Sequence, residues 1–430
     1  MAAIGCELAL PAHEVIDVGT RQRRFAAFDA HNFRLYFVGQ LLSTVGTWMQ
    51  TFALAWLVLQ LTGRSDRLGV AVALQFLPLL VFGAHAGVLA DRVDNRKLLL
   101  CSSACGGGLA VGLGLLSRNS HVSIWWVYVF AVAFGCVTAV ERPVMQAILF
   151  QLVGSDRLPS AIGINGTINT AGRLVGPAVA ALVIATGGIA ACFYANAISY
   201  VIVIGALCFI RGADLTERPL RTAGAGGLAE GFRYVRSHDD VGRPLIVMAV
   251  VGTLAYNFAI TIPAMVRFGF DRGSASAAAI MSISAIGSIT GGLVVAGLRL
   301  RPRASLIAAT VGLGIGLTLF GAAPTYAWFI AACLPLGFLS STFLTVDATV
   351  LQQATEPAMQ GRVMSLHQIA WYGSTPVGAL LTGWLIQISS PRTPFFVGAA
   401  SAFACALVLY VRRPQAGEAT AVDQPILTSS

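Results

Sequence analysis

The chain has 430 residues, 56% of them hydrophobic and 11% charged, with a mean hydropathy of +0.75 and a formal net charge of +9. Soluble domains carry about 25% charged residues, and the apolar residues here run in blocks longer than one buried helix stripe needs, so a soluble globular fold is excluded. The basic excess sits in short clusters between those blocks, which excludes nucleic acid as a partner.

A bilayer core of about 30 Å needs about 20 helical residues. The first 30 residues lack a secretory signal, because Ile4 to Leu10 is short, contains Glu7 and follows no basic region. Twelve segments then read as spans one to twelve, at 35–61, 68–90, 98–117, 122–152, 159–186, 190–210, 244–266, 274–298, 304–322, 326–352, 362–388 and 394–411. Pro78, Pro177, Pro335 and Pro376 interrupt spans two, five, ten and eleven, which membrane helices tolerate when neighbours satisfy the freed backbone groups. With both termini inside, the inner segments hold 20 arginines and lysines and the outer loops six, so the positive-inside rule sets the orientation. Trp125, Trp126 and Tyr128 read as an aromatic anchor at the outer end of span four.

The break at 211–243 starts Gly-rich, and Leu228, Phe232 and Val235 then recur beside Arg233 and Arg236, which predicts a short amphipathic helix on the inner surface. The two sets of six spans echo each other. Val140-Glu141-x-x-Val144-Met145-Gln146 in span four returns as Val346-Asp347-x-x-Val350-Leu351-Gln352 in span ten. Gly176-Pro177 in span five returns as Thr375-Pro376 in span eleven, and Phe193-Tyr194 in span six as Phe395-Phe396 in span twelve. The expected fold is therefore all-α and integral to the membrane: twelve transmembrane helices in two six-helix bundles, as a parallel repeat. The expected divisions are a cytoplasmic tail (1–31), a first bundle (32–211), a central cytoplasmic loop (212–243), a second bundle (244–411) and a cytoplasmic tail (412–430).

The strongest motif lies between spans two and three, Gly87-Val88-Leu89-Ala90-Asp91-Arg92-Val93-Asp94-Asn95-Arg96-Lys97. Read as residues alone, it is either a topology-setting basic loop or a gate. It resembles the signature G-x-L-a-D-R-x-G-R-[RK] of the major facilitator superfamily at Gly87, Leu89, Asp91, Arg92 and Arg96, and departs from it at Asp94 and Asn95. The resemblance implies that Asp91 faces the segment around Gly361-Arg362 and locks one conformation. Span five carries Gly163, Gly172, Gly176 and Pro177 at the spacing of the family's antiporter motif, with Ala180 replacing its last Gly. Further stretches, Leu158-Pro159-x-Ala161, Ala171-x-Arg173-Leu174-Val175-Gly176-Pro177 and Gly361-Arg362-Val363-Met364-Ser365, are similar to enterobactin-exporter-like drug–proton antiporters. That branch favours D-x-P-A-R-Q-A late in span four, where this chain has Glu141-Arg142-Pro143-Val144-Met145-Gln146-Ala147.

Glu141, Arg142, Arg173 and Asp347 are the charges predicted within spans, and such residues are functional candidates. Spans four and five form a hairpin turning near Gly154-Ser155, which sets Arg173 about 8 Å along from the level of Glu141 at about 1.5 Å per residue. Glu141 then either carries an exchanged proton or forms a static ion pair with Arg173. Asp347 and His367 are rival proton carriers, His367 because free imidazole titrates near 6.5. Trp48, Phe52, Trp56, Gln75, Phe76, Tyr256, Asn257, Phe258, Trp371 and Tyr372 are expected to line a substrate cavity suited to lipophilic or amphipathic molecules.

No enzyme is expected, since neither HExxH nor GxSxG occurs, and Lys97-Leu98 excludes a Walker A loop. No cofactor or metal is implied, and the eight cysteines form no CxxC pair. The reading is a proton-coupled efflux antiporter of the bacterial plasma membrane, acting on drugs or siderophores. Its expected partners are the small-molecule substrate, protons and the lipid bilayer, and it is expected to be a monomer. An uptake symporter of the same fold, or a non-transporting sensor or lipid-handling protein, remains open.

Overall fold

The computed structural model describes residues 25–119, 122–216, 227–298 and 300–411, apart from a few side chains inside helices. In a bilayer every backbone polar group needs an internal partner, and the described residues are accordingly helical almost throughout. Nine helices among them are long and apolar enough to cross a membrane. One of these, Ile124–Phe209, has 86 residues, which as a straight rod would run about 130 Å at 1.5 Å per residue. It turns back instead at Gly154 (φ 73°) and Gly188 (φ 76°), where only glycine takes the left-handed backbone without strain. It is thus three spans, 124–153, 155–187 and 189–209. Gln360–Ile388, a more polar helix of 29 residues, brings the spans to twelve.

The remaining spans are His31–Thr62, Ser65–Arg92 and Asn95–Ser117 (one to three), the broken span seven, Ser274–Ala296, Pro302–Gly321 and Tyr326–Ala354 (eight to ten), and Thr393–Val411 (twelve). Pro78, Pro177, Pro335 and Pro376 all lie inside continuous helices. Span seven departs from the expected single helix. It runs as Asp239–Leu254, breaks at residues 255–257, resumes as Phe258–Ala264 and ends in a π turn, Met265–Gly269. Asn257 closes the break with its own groups: its Nδ2 donates to the Thr253 carbonyl at 2.8 Å, and its carbonyl accepts from the Ile260 and Thr261 amides. A short helix, Gly227–Ser237, precedes this span as predicted.

Each bundle buries several aromatic rings in its interior and turns many aliphatic side chains outward, as a lipid surround allows. Phe33, Phe193, Phe320, Phe329, Phe343 and Phe395 are fully buried, while Leu115, Leu182, Ile198, Leu293 and Leu407 are exposed on the flanks. Tyr128 is not part of the exposed anchor: it is buried and donates to the Arg67 carbonyl, leaving Trp125 and Trp126 on the surface.

The repeat is visible in contacts as well as in sequence. Arg96, at the start of span three, donates to the carbonyls of Leu207 and Cys208 at the end of span six. Arg303, at the start of span nine, donates to those of Leu409 and Tyr410 at the end of span twelve. Likewise, Gly135 of span four lies on the Gln75 carbonyl of span two, and Gly337 of span ten on the Ser284 carbonyl of span eight.

The bundles meet chiefly at the end where spans one and two join. A methyl group at Gly69 would come within 3.2 Å of the Gly383 Cα, and Ser282 Oγ of span eight donates to the Leu174 carbonyl of span five at 3.0 Å. At the opposite end, which carries the loop between spans two and three, Gly87, Gly163, Gly166 and Gly361 each face open space. The gap between the bundles is sealed at one end and open at the other.

Candidate functional site

The sealed part of the gap is aromatic. Trp48 and Phe52 of span one, with Ala259, Pro263 and Met281 of spans seven and eight, line a small cleft between the bundles. Tyr256 sits just at the break in span seven, edge-on to Trp371 at 5.0 Å and to Phe258 at 5.5 Å, with its hydroxyl donating to the Ser340 carbonyl. Tyr372 lies beside Trp371 on span eleven and meets the first bundle through Arg142. Gln75 and Phe76 are half-buried on span two. Two of the expected cavity residues are instead packing residues. Trp56, 3% exposed, stacks on Phe52 at 6.4 Å about one turn further into the sealed end, and Asn257, 5% exposed, is committed to the helix break.

The intramembrane charges divide into two sets. The expected approach of Glu141 and Arg173 is not among the contacts of the described residues: the two side chains take different partners. Glu141 turns into the first bundle, to the hydroxyl of Ser102 on span three and towards Tyr200 on span six. Arg173 turns into the gap, with its guanidinium carbon 5.4 Å from the centre of the Trp48 ring and the phenols of Tyr256 and Tyr372 as its polar neighbours. Arg142, one residue beyond Glu141, also points into the gap, 4.3 Å over the Tyr372 ring. In the second bundle Asp347 and His367, separate candidates in the sequence, form one unit: Oδ2 and Nε2 are 2.9 Å apart and both residues are buried. Asp347 Oδ1 and His367 Nδ1 are buried without a hydrogen-bond partner among the described residues.

At the open end the loop motif is built from its backbone outward. Asp94, one of the two departures from the family signature, caps span three by accepting from the Arg96 and Lys97 amides. Asn95, the other, is buried and donates to Gln151 Oε1 at 3.4 Å. Arg96 holds the end of span six, and Arg92 is exposed. The side chain of Asp91 lies outside the described residues. Arg362 takes a partner that the sequence did not suggest: its Nη1 is 3.0 Å from Glu230 Oε1 on the short helix Gly227–Ser237. Of the span-five glycines, Gly172 and Gly176 lie tightly on span one, where added methyl groups would come within 2.6 Å of Thr44 Cγ2 and 2.5 Å of Trp48 Cβ. Pro177 is buried beside them, and Gly163 faces open space.

Two bundles of six spans, a gap lined from both and a charged loop between spans two and three describe a transporter. The profile of the major facilitator family described as transmembrane secretion effectors matches residues 22–426. The chain belongs to that family. The protein is therefore a multi-pass membrane transporter of small molecules, of bacterial type, and not an enzyme. It is similar to macrolide efflux protein A of Streptococcus pyogenes, with 26% identity covering 82% of this chain and 89% of the relative. It is similar also to the enterobactin exporter EntS of Escherichia coli O1:K1, with 26% identity covering 87% and 89%. Among solved structures it resembles the D-xylose-proton symporter, with a TM-score of 0.72 at 12% identity covering 89% and 98%, which is a likeness of fold.

Sequence reasoning had no signal for Tyr200, Ser102 or Glu230, ordinary residues that only the folded chain brings to charged partners. Arg142 was legible as a charge inside a span, but its direction into the gap was not.

Proposed function

We propose that the protein is a secondary-active exporter, a proton-coupled antiporter that moves lipophilic or amphipathic small molecules such as drugs or siderophores out across the bacterial inner membrane. It works as a monomer with both termini in the cytoplasm. The observation that carries this reading is the gap itself, with aromatic walls from both bundles, one end closed, and the ionisable Glu141 held inside a span one residue from the wall residue Arg142. The efflux relatives support the outward direction. The distribution of arginine assigns the open end to the cytoplasm, so the conformation described is the one that loads substrate from inside.

In this reading Glu141 takes and releases the exchanged proton, with Asp347 and His367 as the second titratable unit. Gly87, Asp91, Arg92, Arg96 and Arg362 form the cytoplasmic gate, with Glu230 as a further charged partner of Arg362. Gly172, Gly176 and Pro177 give span five the smooth face against which span one packs within the first bundle, and Gly163 lies on the open side of the same span. Purified protein in liposomes with an imposed pH gradient tests the proposal. Wild type should drive a fluorescent amphipathic dye across the membrane only when the gradient is present. Glu141→Gln should lose most of that transport while still binding the dye. Transport by wild type that ignores the gradient would remove proton coupling, and full gradient-driven transport by Glu141→Gln would remove Glu141 as the carrier.

A further inference from the structure

Among the described residues, Arg142 and Arg173 are the charged side chains set against the aromatic wall of the gap. Arg142 of span four and Arg173 of span five converge on Tyr372 of span eleven, the first 4.3 Å above its ring and the second with its phenol as a polar neighbour. Both side chains are exposed in the open conformation. The two nearby carboxylates are directed elsewhere: Glu141 to Ser102 within the first bundle, and Asp347 to His367 within the second. Neither arginine forms an ion pair among the described residues.

We infer that Arg142 and Arg173, converging on Tyr372, select an aromatic anion as the transported molecule and disfavour a cation. The inference rests on the exporter reading above and narrows its substrate class. Three physical arguments lead to it. An organic cation is held in a protein by a carboxylate or by the open face of an aromatic ring. Here one face each of Trp48 and Tyr372 is already covered by a guanidinium group, and among the described residues no carboxylate forms an ion pair with either one. Next, when the bundles close over a substrate, water leaves, and two guanidinium groups without an ion-pair partner among the described residues, Arg142 feeling only the neighbouring Glu141 carboxylate, are costly inside a membrane protein. A carboxylate, phenolate or sulfonate supplies the missing charge and accepts the forked hydrogen bonds that guanidinium groups present. Finally, the rest of the wall is Trp48, Tyr256 and Trp371, which suits a flat aromatic body attached to that anionic group.

Two xanthene dyes of similar size and opposite charge test this directly: fluorescein, an anion at mildly alkaline pH, and rhodamine 123, a cation. Their binding to the full-length protein is measured in detergent by fluorescence anisotropy, with no pH gradient, so a failure of proton coupling leaves this readout intact. Wild type should bind fluorescein on the order of tenfold more tightly than rhodamine 123, the scale of one charge-assisted hydrogen bond. Arg142→Gln and Arg173→Gln should each weaken fluorescein binding by about tenfold and leave rhodamine binding unchanged or stronger, which also shows that the variants are folded. Equal or tighter rhodamine binding by wild type, binding of neither dye, or fluorescein binding untouched by both variants would overturn the inference. If either variant does not fold, the preference of wild type between the two dyes decides alone.

Discussion

Asp347 and His367 are 20 residues apart in sequence and 2.9 Å apart in space. A carboxylate oxygen and an imidazole nitrogen approach that closely only with a proton between them, so the two side chains form one hydrogen-bonded unit. Each partner also leaves a buried atom, Oδ1 and Nδ1, unbonded among the described residues. The arrangement is therefore dependent on both members: replacing one strands the other. Asp347→Leu and His367→Leu should each lower thermal stability in detergent, by roughly 3 kcal/mol if the pair is ionised. Asp347→Leu with His367→Leu should recover a substantial part of that loss, because no unpaired polar group then remains buried. Additive losses in a double-mutant cycle would show that the two residues act independently. Sequence pattern marked both positions, one as a repeat of Glu141 and one as a histidine in a span. It could not pair them, because adjacency across spans ten and eleven depends on helix rotation, to which hydropathy is insensitive.

The same insensitivity shapes what was legible at the scale of elements. Span number and bounds followed from apolar length and from glycine and charge punctuation, so the hairpin turn at Gly154 was expected where it occurs. The break in span seven was not, because Tyr256-Asn257-Phe258 sits in an otherwise apolar run and the disruption is satisfied by a side chain, Asn257, after the fold forms. The antiporter motif of span five likewise divides in three dimensions. Gly172 and Gly176 are held against span one, whereas Gly163 touches nothing. Gly163→Ala should therefore leave thermal stability nearly unchanged, since alanine favours helix and meets no neighbour. Gly176→Ala should destabilise by about 1–3 kcal/mol, the usual cost of overpacking, because the Trp48 Cβ and Met49 amide lie in its way. Thermal denaturation followed by tryptophan fluorescence compares the two. Equal behaviour would mean that the spacing of the motif, not this contact, is what matters.

At the scale of the whole molecule the question is whether the two ends of the gap exchange roles. Rigid rocking of one repeat against the other around a central site is the common solution in transporters built from repeats, and the contacts here favour it. The closed end is held by backbone approach, at Gly69 and Gly383 and through Ser282 to Leu174, with few long side chains that would have to be unlocked. The open end carries Gly87 and Gly361, whose bare surfaces leave room for an equally close approach. If the bundles rock, distances across the two ends must change with opposite signs. Spin labels at Trp125 and Trp328 report the closed end, and labels at Leu89 and Leu293 the open end; all four positions are exposed and each pair spans both bundles. In a background with the native cysteines replaced, double electron–electron resonance on protein in lipid nanodiscs reads both distances, with and without saturating substrate and at low and high pH. Conditions that shift the population should lengthen the 125–328 distance and shorten the 89–293 distance together, since a ligand moves an equilibrium only by preferring one state. A change at one end alone would indicate a local gate in place of rocking bundles. Parallel changes at both ends would indicate breathing of the whole helix bundle, and either result would rule out exchange of the open and closed ends.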